Sequence, residues 1–167
     1  KGDFERAIAD FTRAIEINSK YADAYNNRGD LYSKKGDLDR AITDFSKVIE
    51  IDPVSAFAYF NRGNTYLAQA KMDWALADYT KAIEINSKYA DAYNNRGRVY
   101  LDKGDLDRAL ADYSKAIEIN PTFALAYNSR GWVYSKKGDL ERALADYSRA
   151  IEIDPKYANA YINRGDL

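Results

Sequence analysis

The sixteen residues AIEINSKYADAYNNRG stand at Ala14–Gly29 and again, unchanged, at Ala82–Gly97. Identical text implies identical surroundings. In an ordinary globular core every position sees a different environment, so the duplication requires a structure that repeats. The 68-residue offset is two periods of 34, and a shift by 34 brings the whole chain into register. Tyr25, Tyr59, Tyr93, Tyr127 and Tyr161 align, as do Gly29, Gly63, Gly97, Gly131 and Gly165. Tyr32, Tyr66, Tyr100 and Tyr134 follow, then Ala7, Ala41, Ala75, Ala109 and Ala143. Whole units span 22–55, 56–89, 90–123 and 124–157, with half a unit before them (1–21) and part of one after (158–167).

Each unit predicts two antiparallel helices. In 22–35, Tyr25, Gly29 and Tyr32 recur at spacings of four and three, one face of a helix. Gly36 then suits the left-handed position that ends a helix, and Asp37 suits the cap of the next. The second helix, 38–51, carries Leu38, Ala41, Ile42, Phe45, Val48 and Ile49 on one broad stripe. It stops at Asp52-Pro53, because proline cannot continue a helix. The small residues Gly29 and Ala41 let the pair approach closely. The fold class is therefore all-α, a single solenoid of helical hairpins over 1–167.

The 34-residue period, the aromatic followed four residues later by Gly, and the Tyr, Ala, aromatic and Pro at these spacings resemble the tetratricopeptide repeat family. The resemblance covers the whole chain. It implies a right-handed superhelical solenoid whose first helices line a concave surface that binds peptides or proteins. Departures are mild. Gln69-Ala70-Lys71 replaces the Lys34-Lys35-Gly36 pattern in the second unit, Ser19 and Ser87 replace Pro, and Arg28, Arg62, Arg96, Arg130 and Arg164 stand where the family often has Leu.

Composition narrows the function classes. The chain has no Cys and no His, which removes thiolate chemistry, Cys/His zinc sites and histidine acid–base catalysis. Its formal net charge is -1, with no basic stripe, so nucleic acid is not an expected partner. No apolar run reaches the roughly 20 residues that span a bilayer, so no membrane partner is expected either. Nearly every recurrent residue is accounted for by packing, and no acid–base–nucleophile cluster is left over. The expected function is non-catalytic, without cofactor or metal. The pairs Asp37/Asp39 and Asp105/Asp107 lack the Gly and distal Glu of a calcium loop and are read as helix caps.

The side of the first helix opposite Tyr25, Gly29 and Tyr32 is the expected free face. It carries Asn27 in one unit, Phe57, Phe60, Asn61 and Asn64 in the next, then Asn95 and Arg98, then Leu125, Asn128 and Trp132. Two features mark these residues as a peptide-binding groove. Asn27, Asn61, Asn95 and Asn163 form an amide ladder interrupted only by Ser129, and a carboxamide can pair with the backbone of an extended chain. Phe57, Phe60, Leu67, Leu101, Leu125 and Trp132 are apolar where charge would cost less. Trp74 reads differently, as local packing over the Ala70-Lys71 turn.

Family members that clamp chaperone carboxyl termini use paired Lys and Arg. The corresponding groove positions here hold Asn26, Asn94, Asn128, Asp23 and Asp91, so that mode is not expected. The five Arg recur in step with Asp10, Asp44, Asp78, Asp112 and Asp146, which predicts repeated ion pairs rather than an anion track. The expected partner is a protein or peptide, held as an extended segment or a helix. The alternative is self-assembly. An unpaired helix from Asp3 to about Ile17 and another from Ala158 to Leu167 predict end-to-end association of copies.

Overall fold

A computed structural model describes residues 2–167; Lys1, the first residue of the expected half repeat, lies outside the described residues. Among the described residues there are ten α-helices and no strand. They are α1 (Gly2–Ile17), α2 (Ala22–Lys34), α3 (Leu38–Ile51), α4 (Ala56–Ala68), α5 (Met72–Ile85), α6 (Ala90–Asp102), α7 (Leu106–Ile119), α8 (Ala124–Lys136), α9 (Leu140–Ile153) and α10 (Ala158–Gly165). The chain divides into two compact units between Ser87 and Lys88. The first holds α1–α5 and the second α6–α10. In each, the paired helices of a hairpin pack together, and each second helix also packs on the first helix of the hairpin that follows it within the unit.

The expected punctuation sets the hairpin turn. Gly36, Gly104 and Gly138 take φ near +80°, where a side chain would be strained. The carboxylates of Asp37, Asp105 and Asp139 then accept from the backbone N–H of Arg40, Arg108 and Arg142, at 3.3, 3.0 and 3.1 Å. The link between hairpins rests on a second device. The side chains of Asn18, Asp52, Asn120 and Asp154 each accept from the backbone N–H two residues on. Because this residue holds the turn, Ser19 can stand in for proline without changing it.

Within a hairpin the contact is close. A Cβ at Gly131 would lie 2.9 Å from Cε1 of Tyr147. Ala41, Ala75, Ala109 and Ala143 are buried on the facing helix, beside the buried rings of Phe45, Tyr79, Tyr113 and Tyr147. The first helices bury a second face as well. Ala24, Ala58, Ala92, Ala126 and Ala160 are buried, and so are Thr65, Val99 and Val133. These columns repeat every 34 residues in the sequence but lie off the Tyr–Gly–Tyr face, so the free face is narrower than periodicity alone predicts.

Candidate functional site

The Arg and Asp columns meet as expected. Arg28 grips Asp44 with two hydrogen bonds of 2.8 Å. Arg62 does the same to Asp78 at 2.7 and 2.8 Å, and Arg96 to Asp112 and Arg130 to Asp146 at 2.8 Å throughout. This two-pronged geometry suits the flat guanidinium fork. The bonds to aspartate hold all four guanidinium groups above the ordinary arginine range, against the opposing effect of burial. Forks of this column also reach beyond their own hairpin. Arg28 donates to Thr12, Arg62 to Ser46 and Arg130 to Ser114, at 3.0–3.2 Å, on the second helix of the preceding hairpin. Tyrosine rings flank each guanidinium, as Tyr25 and Tyr32 flank Arg28 at 5.6 and 5.9 Å. Within each unit the column therefore ties one hairpin to the next and leaves no anion track.

With those columns committed to packing, the exposed stripe of each first helix varies on either side of its Asn27, Asn61 and Asn95 line. In the first unit it runs through Asp23, Asn27 and Asp30 on α2, then Phe57, Asn61 and Asn64 on α4. In the second unit it runs through Asp91, Asn95 and Arg98 on α6, then Leu125, Ser129 and Trp132 on α8. Positions of this stripe lie four and three residues apart, one line along a helix.

In the first unit Asn27 is exposed and Asn61 half-buried. Phe57, 52% exposed, is the open apolar side chain of α4. Phe60 and Asn64 turn inward to one residue, Tyr79. The Phe60 ring lies 5.9 Å from that of Tyr79, and the Tyr79 hydroxyl donates to Asn64 Oδ1 at 2.7 Å. Phe60 is half-buried, so it differs from the free groove aromatic expected.

In the second unit Leu125 and Trp132 are 45% and 37% exposed. The Lys136 ammonium sits 4.8 Å over the Trp132 ring. Arg98 pairs with Asp102 at 3.0 Å on the same helix, and Asn95 Oδ1 accepts from Asn94 Nδ2 at 3.2 Å. Asn128 departs most from the expected place. It is 8% exposed and accepts from Asn163 Nδ2 at 2.9 Å. It lies at the border of the stripe, where successive first helices press together, so its amide is spent on packing. A pocket of about 310 Å³ brings Arg98, Trp132 and an edge of Asn128 together with Leu101, Asp102, Tyr113 and Ser129.

Trp74 is 63% exposed and tilts against Tyr66 with centroids 5.8 Å apart. It stands where other repeats place Arg40, Arg108 and Arg142. Those arginines bond the capping aspartate and lie over Tyr32, Tyr100 and Tyr134 at 4.5–4.8 Å. In the second repeat the cap is Lys71, which makes no capping bond, and the preceding Ala70 takes φ 57°. An arginine there would have no carboxylate to hold, and an indole covers the tyrosine instead. Trp74 thus packs beside the turn, as expected, yet keeps most of its surface in solvent.

Models of the tetratricopeptide repeat match residues 22–53, 56–89, 124–157 and 78–111, and a TPR repeat model matches 1–36 and 97–138. A search of curated protein sequences finds no match. Among solved structures, a crystal structure of MamA is 32% identical, with a TM-score of 0.85, over 95% of this chain and 92% of that one. The first TPR of Spaghetti (RPAP3), bound to the HSP90 peptide SRMEEVD, is 28% identical with a TM-score of 0.65, over 66% of this chain and 88% of that one. A thermophilic TPR protein of Thermus thermophilus shares the fold at 23% identity and a TM-score of 0.77, over 99% and 90% of the two chains. The chain belongs to the tetratricopeptide repeat family.

Proposed function

We propose that this repeat protein is a non-catalytic docking scaffold, whose exposed first-helix stripes hold an extended peptide segment of another protein. One observation carries the reading: the columns that pack and ion-pair recur from repeat to repeat, whereas the stripe keeps Asn27, Asn61 and Asn95 along its middle and changes on either side of them. Position 23 and its equivalents hold Asp23, Phe57, Asp91 and Leu125; position 30 and its equivalents hold Asp30, Asn64, Arg98 and Trp132. Packing alone does not require that variety, and Phe57, Leu125 and Trp132 are exposed to solvent. Open aromatic and aliphatic side chains among amides suit a ligand with apolar anchors and a backbone to be hydrogen-bonded.

The peptide-bound relative supports the mode, not the ligand. Its peptide, SRMEEVD, is acidic, whereas the exposed Asp23 and Asp91 of this stripe repel carboxylates. The preferred peptide is neutral or weakly basic and partly apolar.

Selection of a displayed random twelve-residue library against the whole chain tests this. Selected peptides are expected to lose about thirtyfold in affinity to Trp132→Ala, the loss of one hot spot of about 2 kcal/mol, with the unfolding midpoint nearly unchanged. Selected peptides that bind Trp132→Ala and Phe57→Ala as tightly as the parent would refute it. Association of copies is the competing reading, drawing on the exposed rings of Phe4 and Tyr161. It predicts a mass that rises with concentration in sedimentation equilibrium, with no peptide present.

A further inference from the structure

The pocket on the second unit has an unusual floor. Tyr113 is fully buried, and its hydroxyl has no hydrogen-bond partner. Ser129 lies near enough to moderate its acidity but stands outside hydrogen-bonding geometry. Burial pushes the phenol well above its ordinary value, so it keeps its proton and can donate as well as accept. The same position one repeat earlier is satisfied: Tyr79 donates to Asn64 at 2.7 Å. At Tyr113 the equivalent of Asn64 is Arg98, which turns away to Asp102.

The break in the amide ladder opens the space. Asn163, one repeat after Ser129, donates to Asn128 at 2.9 Å. One repeat earlier the corresponding pair is Ser129 and Asn94, and Asn94 Oδ1 is buried and unpartnered. Asn26 Oδ1, at the equivalent place beside Asn61, is unpartnered too, so what Ser129 changes is the volume beside Tyr113 rather than this bond. The short Ser129, where the other repeats carry Asn, and Arg98, where the preceding repeat carries Asn64, therefore leave a cavity and strand the hydroxyl that lines it.

Resting on the groove reading above, we propose that this pocket is a specificity subsite for a neutral carboxamide side chain of the bound peptide, glutamine above all. Leu101 and Trp132 supply apolar walls for its methylene stem. Tyr113 and Ser129 supply hydroxyls for its amide tip, each able to donate or accept. The rim selects against charge of either sign. A charged tip would have to shed its water in the pocket, and Asp102 and Arg98 already pair with each other, so neither is free to compensate it. Lys136 over Trp132 opposes a basic tip further. A purely apolar side chain fits the walls but leaves the Tyr113 hydroxyl as unpartnered as it is in the free protein, so it forgoes the hydrogen bond that an amide gains. At about 310 Å³ the pocket has ample room for one side chain.

The probe is N-acetylglutamine N-methylamide, titrated into the whole chain and followed by the amide resonance of Ser129 and the indole resonance of Trp132. Saturable shifts are expected. Binding should be about fivefold weaker for the norleucine, glutamate and lysine counterparts, the equivalent of one net hydrogen bond. Tyr113→Phe should weaken glutamine binding by a similar factor without lowering the unfolding midpoint, since it removes a hydroxyl that nothing in the fold satisfies. Ser129→Asn, which fills the space, should abolish the shifts. Equal or tighter binding of norleucine, glutamate or lysine would overturn the assignment. So would unmoved resonances, or full binding by both variants. If selected peptides still depend on Trp132 while the glutamine probe leaves Ser129 and Trp132 unmoved, the subsite fails and the groove stands.

Discussion

Replacing Asp146 with Ala separates a structural arginine column from a ligand-binding one. Arg130 and Asp146 side chains are 19% and 8% exposed and share two bonds of 2.8 Å. Breaking a fully buried pair by removing one partner costs about 3–5 kcal/mol, because the remaining charge is stranded. Here Ser114 at 3.2 Å and the rings of Tyr127 and Tyr134 keep hold of Arg130, and part of its side chain still meets water. The expected loss is therefore smaller, about 2–3 kcal/mol. The double variant Arg130→Met with Asp146→Leu strands no charge and should fall within about 1 kcal/mol of the parent. Urea unfolding followed by circular dichroism reads both as midpoint shifts at constant slope. A loss under about 0.5 kcal/mol for Asp146→Ala, or a double variant as costly as the two singles added together, would refute the reasoning.

Three further outcomes follow from the packing. Gly131→Ala should destabilise by about 1–3 kcal/mol in the same urea assay despite alanine's better helix propensity, since the new methyl meets both the Tyr147 ring and the Ala143 carbonyl oxygen at 2.9 and 3.2 Å. Tyr79→Phe should cost about 1 kcal/mol by thermal unfolding, because it removes the hydroxyl that donates to Asn64. The carboxyls of Asp37 and Asp139, bonded first by the arginine side chain, and of Asp105, bonded first by the Arg108 backbone N–H, are held below the usual aspartate range. Their folded-state values are depressed, so the stability they add is complete above the ordinary aspartate value of about 3.9 and is lost as pH falls below it. The triple variant Asp37→Asn, Asp105→Asn, Asp139→Asn keeps the caps without the charge, so its midpoint should fall less steeply than the parent's between about pH 5 and pH 2; parallel curves would contradict the linkage.

Much of this architecture is readable from the 34-residue period. Tyr25, Gly29 and Ala41 recur because the same close contact is rebuilt in every hairpin, and Gly36 and Asp37 announce the turn by backbone need alone. The Arg–Asp pairs are readable because two oppositely charged columns keep step. The second buried face of the first helices is not, although Ala24 and Ala58 recur as faithfully as Gly29. Alanine is common on any helix face, so its recurrence carries little directional information. A helical wheel assigns Phe60 and Asn128 to the groove because it knows only angle. Both lie on the edge of the stripe, and only the spacing of neighbouring helices decides which side of that edge is dry. The stranded hydroxyl of Tyr113 is equally hidden, since it depends on Arg98 turning toward Asp102, a choice of rotamer rather than of residue.

The claim that the first-helix stripe, rather than the outer faces, receives the peptide is tested most directly by the two tryptophans. Trp132 lies on the stripe and Trp74 on a second helix, and both are exposed enough to report. Single-tryptophan variants Trp74→Phe and Trp132→Phe are titrated with the same library-selected peptide while indole emission is followed. The account predicts that Trp132, alone in Trp74→Phe, shifts its emission saturably, while Trp74, alone in Trp132→Phe, does not respond even at peptide concentrations that saturate that weakened variant. A saturable response from Trp74 with none from Trp132 would place the ligand on the outer face and contradict it.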